Sequence, residues 1–263
     1  MKKNSIVVLL DADVLVYRAA FGVEQNVDWG EGQHSWHANL NDAIPVMELQ
    51  IEEIQDKLKA DKMVLALTCS DTVNFRRAVY PEYKMNRANT RKPLLWKAAR
   101  EYITKKYDAR IKPTLEADDV LGIMATMPMP GVTRIIASID KDFLSVPGKF
   151  FNLKKGRMFE QTEVEADRNF MLQTLTGDST DHYPGLPGCG PKGAEKILKF
   201  TDGLPAMWKA VVQAYKNKGL TTEDALTQAR CARILRFCDY DATAKKPKLW
   251  EGPNEADIQT ASS

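Results

Sequence analysis

Three short aliphatic runs each stop at or just before an aspartate, and helical stretches separate them. Ser5–Leu10 ends at Asp11, Met63–Thr68 stops short of Asp71, and Arg134–Ser138 ends before Asp140. None of the runs alternates apolar with polar residues, as expected of strands buried on both faces. Lys149–Leu153 is a fourth strand candidate. Strands that alternate with helices predict an α/β fold, a central and mostly parallel sheet flanked by helices. Ligands of such sheets bind beyond the carboxyl ends of the strands, and that is where these acids fall.

The rest of the chain divides around this pattern. Gly22–Asn41 is rich in Gly, Asn, Asp and His, has no period, and reads as a long loop or insertion. Asn41 or Asp42 caps a helix with Pro45 in its first turn and with Met47, Ile51, Ile54 and Leu58 on one face. Leu94 to Tyr107 is helical in pattern, and Leu115–Leu121 reads as a helix opening after Pro113. From Phe170 onward the pattern is mainly helical. Thr221 and Asp224 have capping-box spacing, with Asp in place of Glu. The expected organisation is an α/β core over residues 1–170, a helical region over 171–245 and a loosely packed tail over 246–263.

The length of 263 residues allows one or two domains at roughly 150 residues each. Hydrophobic residues at 44% supply a sizeable core and argue against a disordered chain. The run Ile6–Leu10 is far too short for a membrane span of ~20 residues, so no membrane partner is expected. Asp11 and Asp13 cut off the apolar stretch after Met1-Lys2-Lys3 too early for a secretory signal, which predicts a cytoplasmic protein. Cys69, Cys189, Cys231 and Cys238 include no C-x-x-C pair, so neither a disulfide framework nor a zinc knuckle is expected. His34 and His37 lack the rest of a ligand set and read as polar surface.

Carboxylates recur in five groups: Asp11; Asp71; Glu116, Asp118 and Asp119; Asp140 and Asp142; and Asp178 and Asp181. One aspartate after a strand is an ordinary turn residue. Five groups gathered in one place would repel steeply unless cations neutralised them. Mg²⁺ takes carboxylate, water and phosphate oxygens. Two such ions roughly 3.5–4 Å apart can clamp the attacking and leaving oxygens of a phosphodiester. On a helix Glu116 and Asp119 would share a face at i,i+3, with Asp118 offset by one position.

From Lys84 to Lys112 ten basic residues stand against two acids, and Arg76 and Arg77 lie just upstream. Tyr80, Tyr83 and Trp96 are interleaved with them. Cations grip phosphates and aromatic faces stack on bases, so nucleic-acid contact is expected at Arg76, Tyr83, Lys97, Arg100 and Lys105. The turn Gly185-Leu186-Pro187-Gly188-Cys189-Gly190-Pro191-Lys192-Gly193 precedes a helical stretch. Its glycines allow close backbone approach, and the following helix start can receive a phosphate. No Walker A pattern is present. Gly185, Gly188, Gly190 and Lys192 are its expected contacts.

These motifs together resemble the 5′-nuclease superfamily, which includes flap endonucleases. The likeness is greatest to the 5′→3′ exonucleases of short-tailed, T7-like bacteriophages. It is carried by Leu10-Asp11-Ala12-Asp13, Asp71–Arg76, Tyr80–Arg87, Leu115–Asp119, Ser138–Phe143, Gly177–Asp181, the Gly-rich turn and Ala232–Phe237. The resemblance implies one metal site formed or supported by Asp11, Asp71, Glu116, Asp118 and Asp119. It implies a second at Asp140, Asp142, Asp178 and Asp181. Two Mg²⁺ ions, with Mn²⁺ able to substitute, follow from it. So do Lys84, Arg87 and Arg18 at the scissile phosphate, and a helix–hairpin–helix element over 185–194 that grips duplex backbone and holds K⁺. The segment 84–112 becomes a basic clamp, short for a closed arch. The implied substrate is duplex DNA with a 5′ end, and RNA–DNA hybrids as well; protein partners are not indicated. For a phage-encoded chain the location is the host cytoplasm. Two rivals remain: a structure-specific flap endonuclease and a non-catalytic duplex-binding protein.

Overall fold

The computed structural model describes residues 4–70, 72–88 and 90–253. In chain order the elements are β1 (Ser5–Asp11), α1 (Ala12–Gly22), β2 (Gln25–Gly30), β3 (Gln33–His37), α2 (Leu40–Leu58), β4 (Lys62–Ala66), α3 (Arg76–Val79), α4 (Trp96–Lys106), β5 (Ala109–Arg110) and α5 (Ala117–Thr126). They continue with β6 (Val132–Ser138), β7 (Gly148–Asn152), β8 (Arg157–Gln161), α6 (Glu163–Thr176), α7 (Pro191–Ile197), α8 (Gly203–Lys216), α9 (Thr222–Ala232), β9 (Tyr240–Asp241) and β10 (Lys246–Pro247).

The main sheet has the order β5-β4-β1-β6-β7-β8. Its first five strands are parallel, and β8 closes the edge antiparallel to β7. Strand β1 lies centrally and is covered on both sides, which is why its sequence is a continuous apolar run. Val8 and Leu10 pack with α1, α2 and α4 on one face. Leu9 points to the other, where Val120, Leu121, Ile234 and Leu235 meet it. A third cluster lies among α6, α7, α8 and α9, with Trp250 set edge-on to Phe170 and Trp208. No helix among the described residues is long and apolar enough to cross a membrane.

The structure corrects several expectations. Gly22–Asn41 is no loop: it holds the end of α1 and the antiparallel hairpin β2–β3. The bulge between Asp28 and Gly30 and the positive φ of Gly30, Glu31 and Gly32 break the alternation that would betray a hairpin. Helix α2 begins at Leu40, capped by the Asn39 side chain on Asn41 N, so Pro45 lies inside it rather than in its first turn. The expected boundary after residue 170 falls within α6. The tail from 246 is not loose where described: β10 pairs with β9 and Trp250 is buried, while 254–263 lie outside the described residues.

Candidate active site

The carboxyl edge of the sheet opens into a cleft of about 1160 Å³. Asp11, the last residue of β1, is buried at its floor and accepts a hydrogen bond from Ser138 Oγ at 2.8 Å. Burial, reinforced by Asp13, pushes its carboxyl up to about 7. Glu116 and Asp118 come from the start of α5, the first as its N-cap. Asp140 and Asp142 come from the turn after β6, where Asp140 accepts from Asp142 N at 2.8 Å. Asp178 and Asp181 come from the turn after α6, where Asp178 Oδ1 accepts from Thr180 N and Asp181 N.

These acids disturb one another. Burial, and then the charges of Asp11, Asp140 and Glu116, raise Asp118 well above the ordinary carboxylate range. Burial and the neighbouring aspartates raise Asp140, and push Asp142 up to about 7. Glu116 is the exception. Its burial works to raise it, yet the charges of Lys84 and Arg76 hold it down at about 2. Lys84 Nζ lies 2.5 Å from Glu116 and 3.3 Å from Asp181. Burial opposes the Lys84 charge, but Glu116, Asp181 and Asp118 outweigh it and raise its pKa. Arg87 reaches Asp181 at 2.7 Å. Lys84 holds a left-handed backbone (φ 55°), with its N–H on Asp181 O and the Arg77 guanidinium on the carbonyls of Tyr83 and Lys84. A strained non-glycine residue beside crowded charges is a common mark of a functional site.

Five residues expected to bind metal or nucleic acid have other duties. Asp119 is 0% exposed. As the third residue of α5 it accepts from the Glu116 N–H, and the Arg76 guanidinium grips it at 2.7 and 2.8 Å. It is therefore no open metal ligand; it forms a capping box with Glu116, the N-cap, and the two carboxylates share Arg76 Nη1 at 2.8 and 3.5 Å. Arg76, 2% exposed, also donates to Cys231 O and Arg233 O and has no face left for DNA. Tyr83 is 1% exposed, its hydroxyl 2.9 Å from both Glu116 and Asp181, so it cannot stack on bases. Arg100 is buried between Asp13, at 2.5 Å, and Thr68 O. Asp13 thereby becomes the anchor that orients α4. Gly185 is a packing glycine: a Cβ there would fall 2.3 Å from Gly177 N.

Asp71 lies outside the described residues. Arg18 is exposed on α1 and does not line the cleft. Lys97 is exposed on α4, and Lys105, 74% exposed, pairs with Glu101. Gly188, Gly190 and Lys192 are exposed in the turn that starts α7, Gly188 at φ 74°. His34 and His37 stand on the hairpin, paired only with Asp28 and Ser35 among the contacts described.

The cleft has further walls. Lys92, within the expected basic clamp and 3.9 Å from the Trp96 ring, lines one side. Lys141, Asn152, Lys154 and Lys155 line another, where the β7–β8 turn is tied to the Asp140 segment through Asn152 Nδ2 and Ile139 O. Lys154-Lys155-Gly156-Arg157, three cations around a glycine between strand patterns, was the available signal.

Among the described residues no three Asp, Glu, His or Cys side chains stand close enough to hold an ion as they are. The donor set is nonetheless all carboxylate and crowded, with Asp11, Asp118, Asp140 and Asp142 raised in pKa. Such a set suits a hard cation, whose charge would relieve the repulsion.

Acids at the carboxyl edge of a parallel sheet, beneath a rim of arginine and lysine, define a protein that binds a polyanion at a cation-hungry floor. Residues 6–170 match the family model described as 5′-3′ exonuclease, N-terminal resolvase-like domain. The chain is 31% identical to the exodeoxyribonuclease of Enterobacteria phage T3, over 93% of this chain and 92% of that one. It is 31% identical to the exonuclease of Escherichia phage T7, over 93% of each. The chain belongs to the 5′-3′ exonuclease family and is an enzyme of that nuclease class. Its fold is also that of the T5 D15 protein, solved in co-crystals with metal ions: TM-score 0.64, 15% identity, covering 87% of this chain and 89% of that one.

Proposed function

We propose that this chain is a divalent-cation-dependent 5′→3′ exonuclease that hydrolyses phosphodiester bonds from the 5′ ends of duplex DNA, with RNA in RNA–DNA hybrids as a second substrate. One observation carries the reading: Asp11, Asp118, Asp140 and Asp142 are held together with raised pKa values directly beside the cationic pair Lys84 and Arg87. A protein that only bound DNA would do better without such a concentration of negative charge under the phosphates.

Asp11, Glu116 and Asp118 would hold one cation, and Asp140, Asp142, Asp178 and Asp181 a second. Mg²⁺ or Mn²⁺ bound there would supply an activated water and stabilisation of the departing oxygen. Ser138 orients Asp11, and Arg76 acting through Asp119 fixes the start of α5. Lys84 and Arg87 hold the reactive phosphate, with Lys84 facing the charge that grows on its oxygens. Lys92, Lys141, Lys154 and Lys155 grip flanking phosphates. The turn Gly188–Lys192 presents its amides to duplex backbone as part of a helix–hairpin–helix element, with K⁺ on its carbonyls.

Between Arg87 and Trp96 the described residues hold only turns, and α4 packs on the core beside the sheet rather than arching over the cleft. An open clamp favours exonuclease action over threading of a long flap. The test is digestion of 5′-labelled blunt, recessed and flapped duplexes in Mg²⁺ and in EDTA, with sizing of the products. Short products from blunt and recessed ends, in Mg²⁺ only, are expected. Release of intact flaps as the dominant product would favour the flap endonuclease reading. A gel shift without cleavage in any cation would leave only duplex binding.

A further inference from the structure

The stretch 231–239 runs antiparallel to no strand and lines no cleft wall with its charges, yet it buries Arg233, Arg236 and Asp239. It lies along one face of α5. Leu235 N donates to Asp119 Oδ1 at 3.2 Å. One turn on, Gly122 lets the Leu235 carbonyl come so close that a Cβ would fall 2.4 Å from it. One turn further, Thr126 Oγ1 accepts from Phe237 N at 2.7 Å. Residues 119, 122 and 126 share a helix face by their spacing. Arg76 fastens the near end, gripping Asp119 with one edge of its guanidinium while donating to Cys231 O and Arg233 O at 3.1 and 2.6 Å.

The other flank of the segment holds different acid-bearing elements. Arg236 Nη2 donates at 3.0 Å to Ser145 O, which ends the turn carrying Asp142. The same nitrogen lies 2.7 Å from Asp167 Oδ1 in α6, the helix that leads to Asp178 and Asp181. Asp239 Oδ2 stiffens the segment itself, accepting from Arg233 Nε at 2.9 Å and Arg236 N at 2.8 Å. So one short segment ties α5, with Glu116 and Asp118, to the turn with Asp142 and to α6.

That connection opposes a specific force. Asp118 on α5 and Asp140 on the turn repel each other, and Lys84 offsets them only in part. Apolar packing alone is non-directional and would not set the spacing of these elements. Buried ion pairs are often replaceable by hydrophobic residues without loss of stability, so two of them, Arg233–Asp239 and Arg236–Asp167, in one short segment invite a role in geometry.

We propose that residues 231–239 form a positioning strap that holds the two groups of metal-binding carboxylates at their working separation, with Arg236 as its key positioning residue. The proposal rests on the metal reading above. Arg236 touches neither substrate nor metal; it acts through Ser145 O and Asp167.

The experiment compares wild type, Arg236→Met, Asp167→Asn and Val211→Ala, the last a cavity variant in α8 whose apolar side chain makes none of the strap's hydrogen bonds or ion pairs. Free Mn²⁺ is titrated by electron paramagnetic resonance, duplex affinity is measured in EDTA, and thermal midpoints are recorded. Loss of a group that orients a ligand shell typically weakens metal affinity by about 10-fold or more. Arg236→Met should therefore bind Mn²⁺ ~10-fold more weakly, with duplex affinity in EDTA unchanged and cleavage restored by excess metal. Asp167→Asn should shift Mn²⁺ affinity the same way, and decides the matter if Arg236→Met fails to fold. Val211→Ala should lose thermal stability and keep its Mn²⁺ affinity. Mn²⁺ affinity unchanged in the strap variants, or equally weakened in Val211→Ala, overturns the strap while leaving the metal reading in place. A wild type that binds no Mn²⁺ overturns both.

Discussion

Asp118 and Asp119 are adjacent in sequence and opposite in duty, and two amide substitutions separate them. Asp119→Asn keeps the shape but turns an N–H donor toward the Arg76 guanidinium, which already has only donors to offer. One of the two Arg76–Asp119 hydrogen bonds, at 2.7 and 2.8 Å, is lost, and a guanidinium that is 2% exposed keeps only Glu116, 3.5 Å from Nη1, as an opposing charge. Breaking one side of a buried pair costs about 3–5 kcal/mol. At ~2 °C per kcal/mol for a chain of this size, the midpoint should fall by roughly 6–10 °C. Asp118→Asn removes a carboxylate whose pKa burial and like charges raise, so the metal-free protein should be as stable as wild type or more so. Its cleavage rate should drop by about 10²–10³, as for loss of an essential electrostatic group. The assay is thermal unfolding in EDTA beside single-turnover cleavage in saturating Mg²⁺. If Asp119→Asn melts with wild type while Asp118→Asn is the one destabilised, the division of labour between the two carboxylates is wrong.

Asp11 and Asp142, both pushed up to about 7, bind protons more tightly folded than unfolded. The stability they confer is present below their unfolded value and lost as pH rises through about 7, so in EDTA the midpoint should fall between about pH 5 and pH 8, and Mg²⁺ should flatten the slope. A midpoint that rises across that window in EDTA contradicts the crowding. Lys84→Ala should lower the single-turnover rate even when DNA is saturating, because its ammonium meets charge that develops in the transition state; Lys105→Ala, exposed and paired with Glu101, should leave that rate alone. Recovery of full rate by Lys84→Ala at high DNA would reduce Lys84 to a binding group. Lys154→Ala and Lys155→Ala should each reduce the slope of log affinity against log salt by about one, without touching the rate at saturation; an unchanged slope removes the β7–β8 turn from the interface.

Much of the architecture could be read directly because its causes are local. Ser5–Leu10 and Arg134–Ser138 are strands covered on both faces, so they announce themselves as unbroken apolar runs, and the acids that follow them mark the carboxyl edge. The Thr221–Asp224 box needs only four neighbouring residues, and it forms with both of its hydrogen bonds. What failed to be legible depends on partners far along the chain. Charge and aromaticity are visible at Arg76, Tyr83 and Arg100, but burial is not, and their partners lie at Asp119 and Arg233, at Asp181, and at Asp13. A cation can meet phosphate only if it still lines the cleft, as Lys84 and Arg87 do beside their carboxylates and the buried Arg76 does not. That is decided by which strand lies beside which, as β7 beside β6 carries Lys154 to the cleft while α3 carries Arg76 beneath it. Arg76, Tyr83 and Arg100 are therefore not a random set. Each is a charged or aromatic side chain drawn under the site beside an acid, so the basic stretch upstream of α5 supplies both the surface proposed to meet the substrate and supports for the carboxylates beneath it.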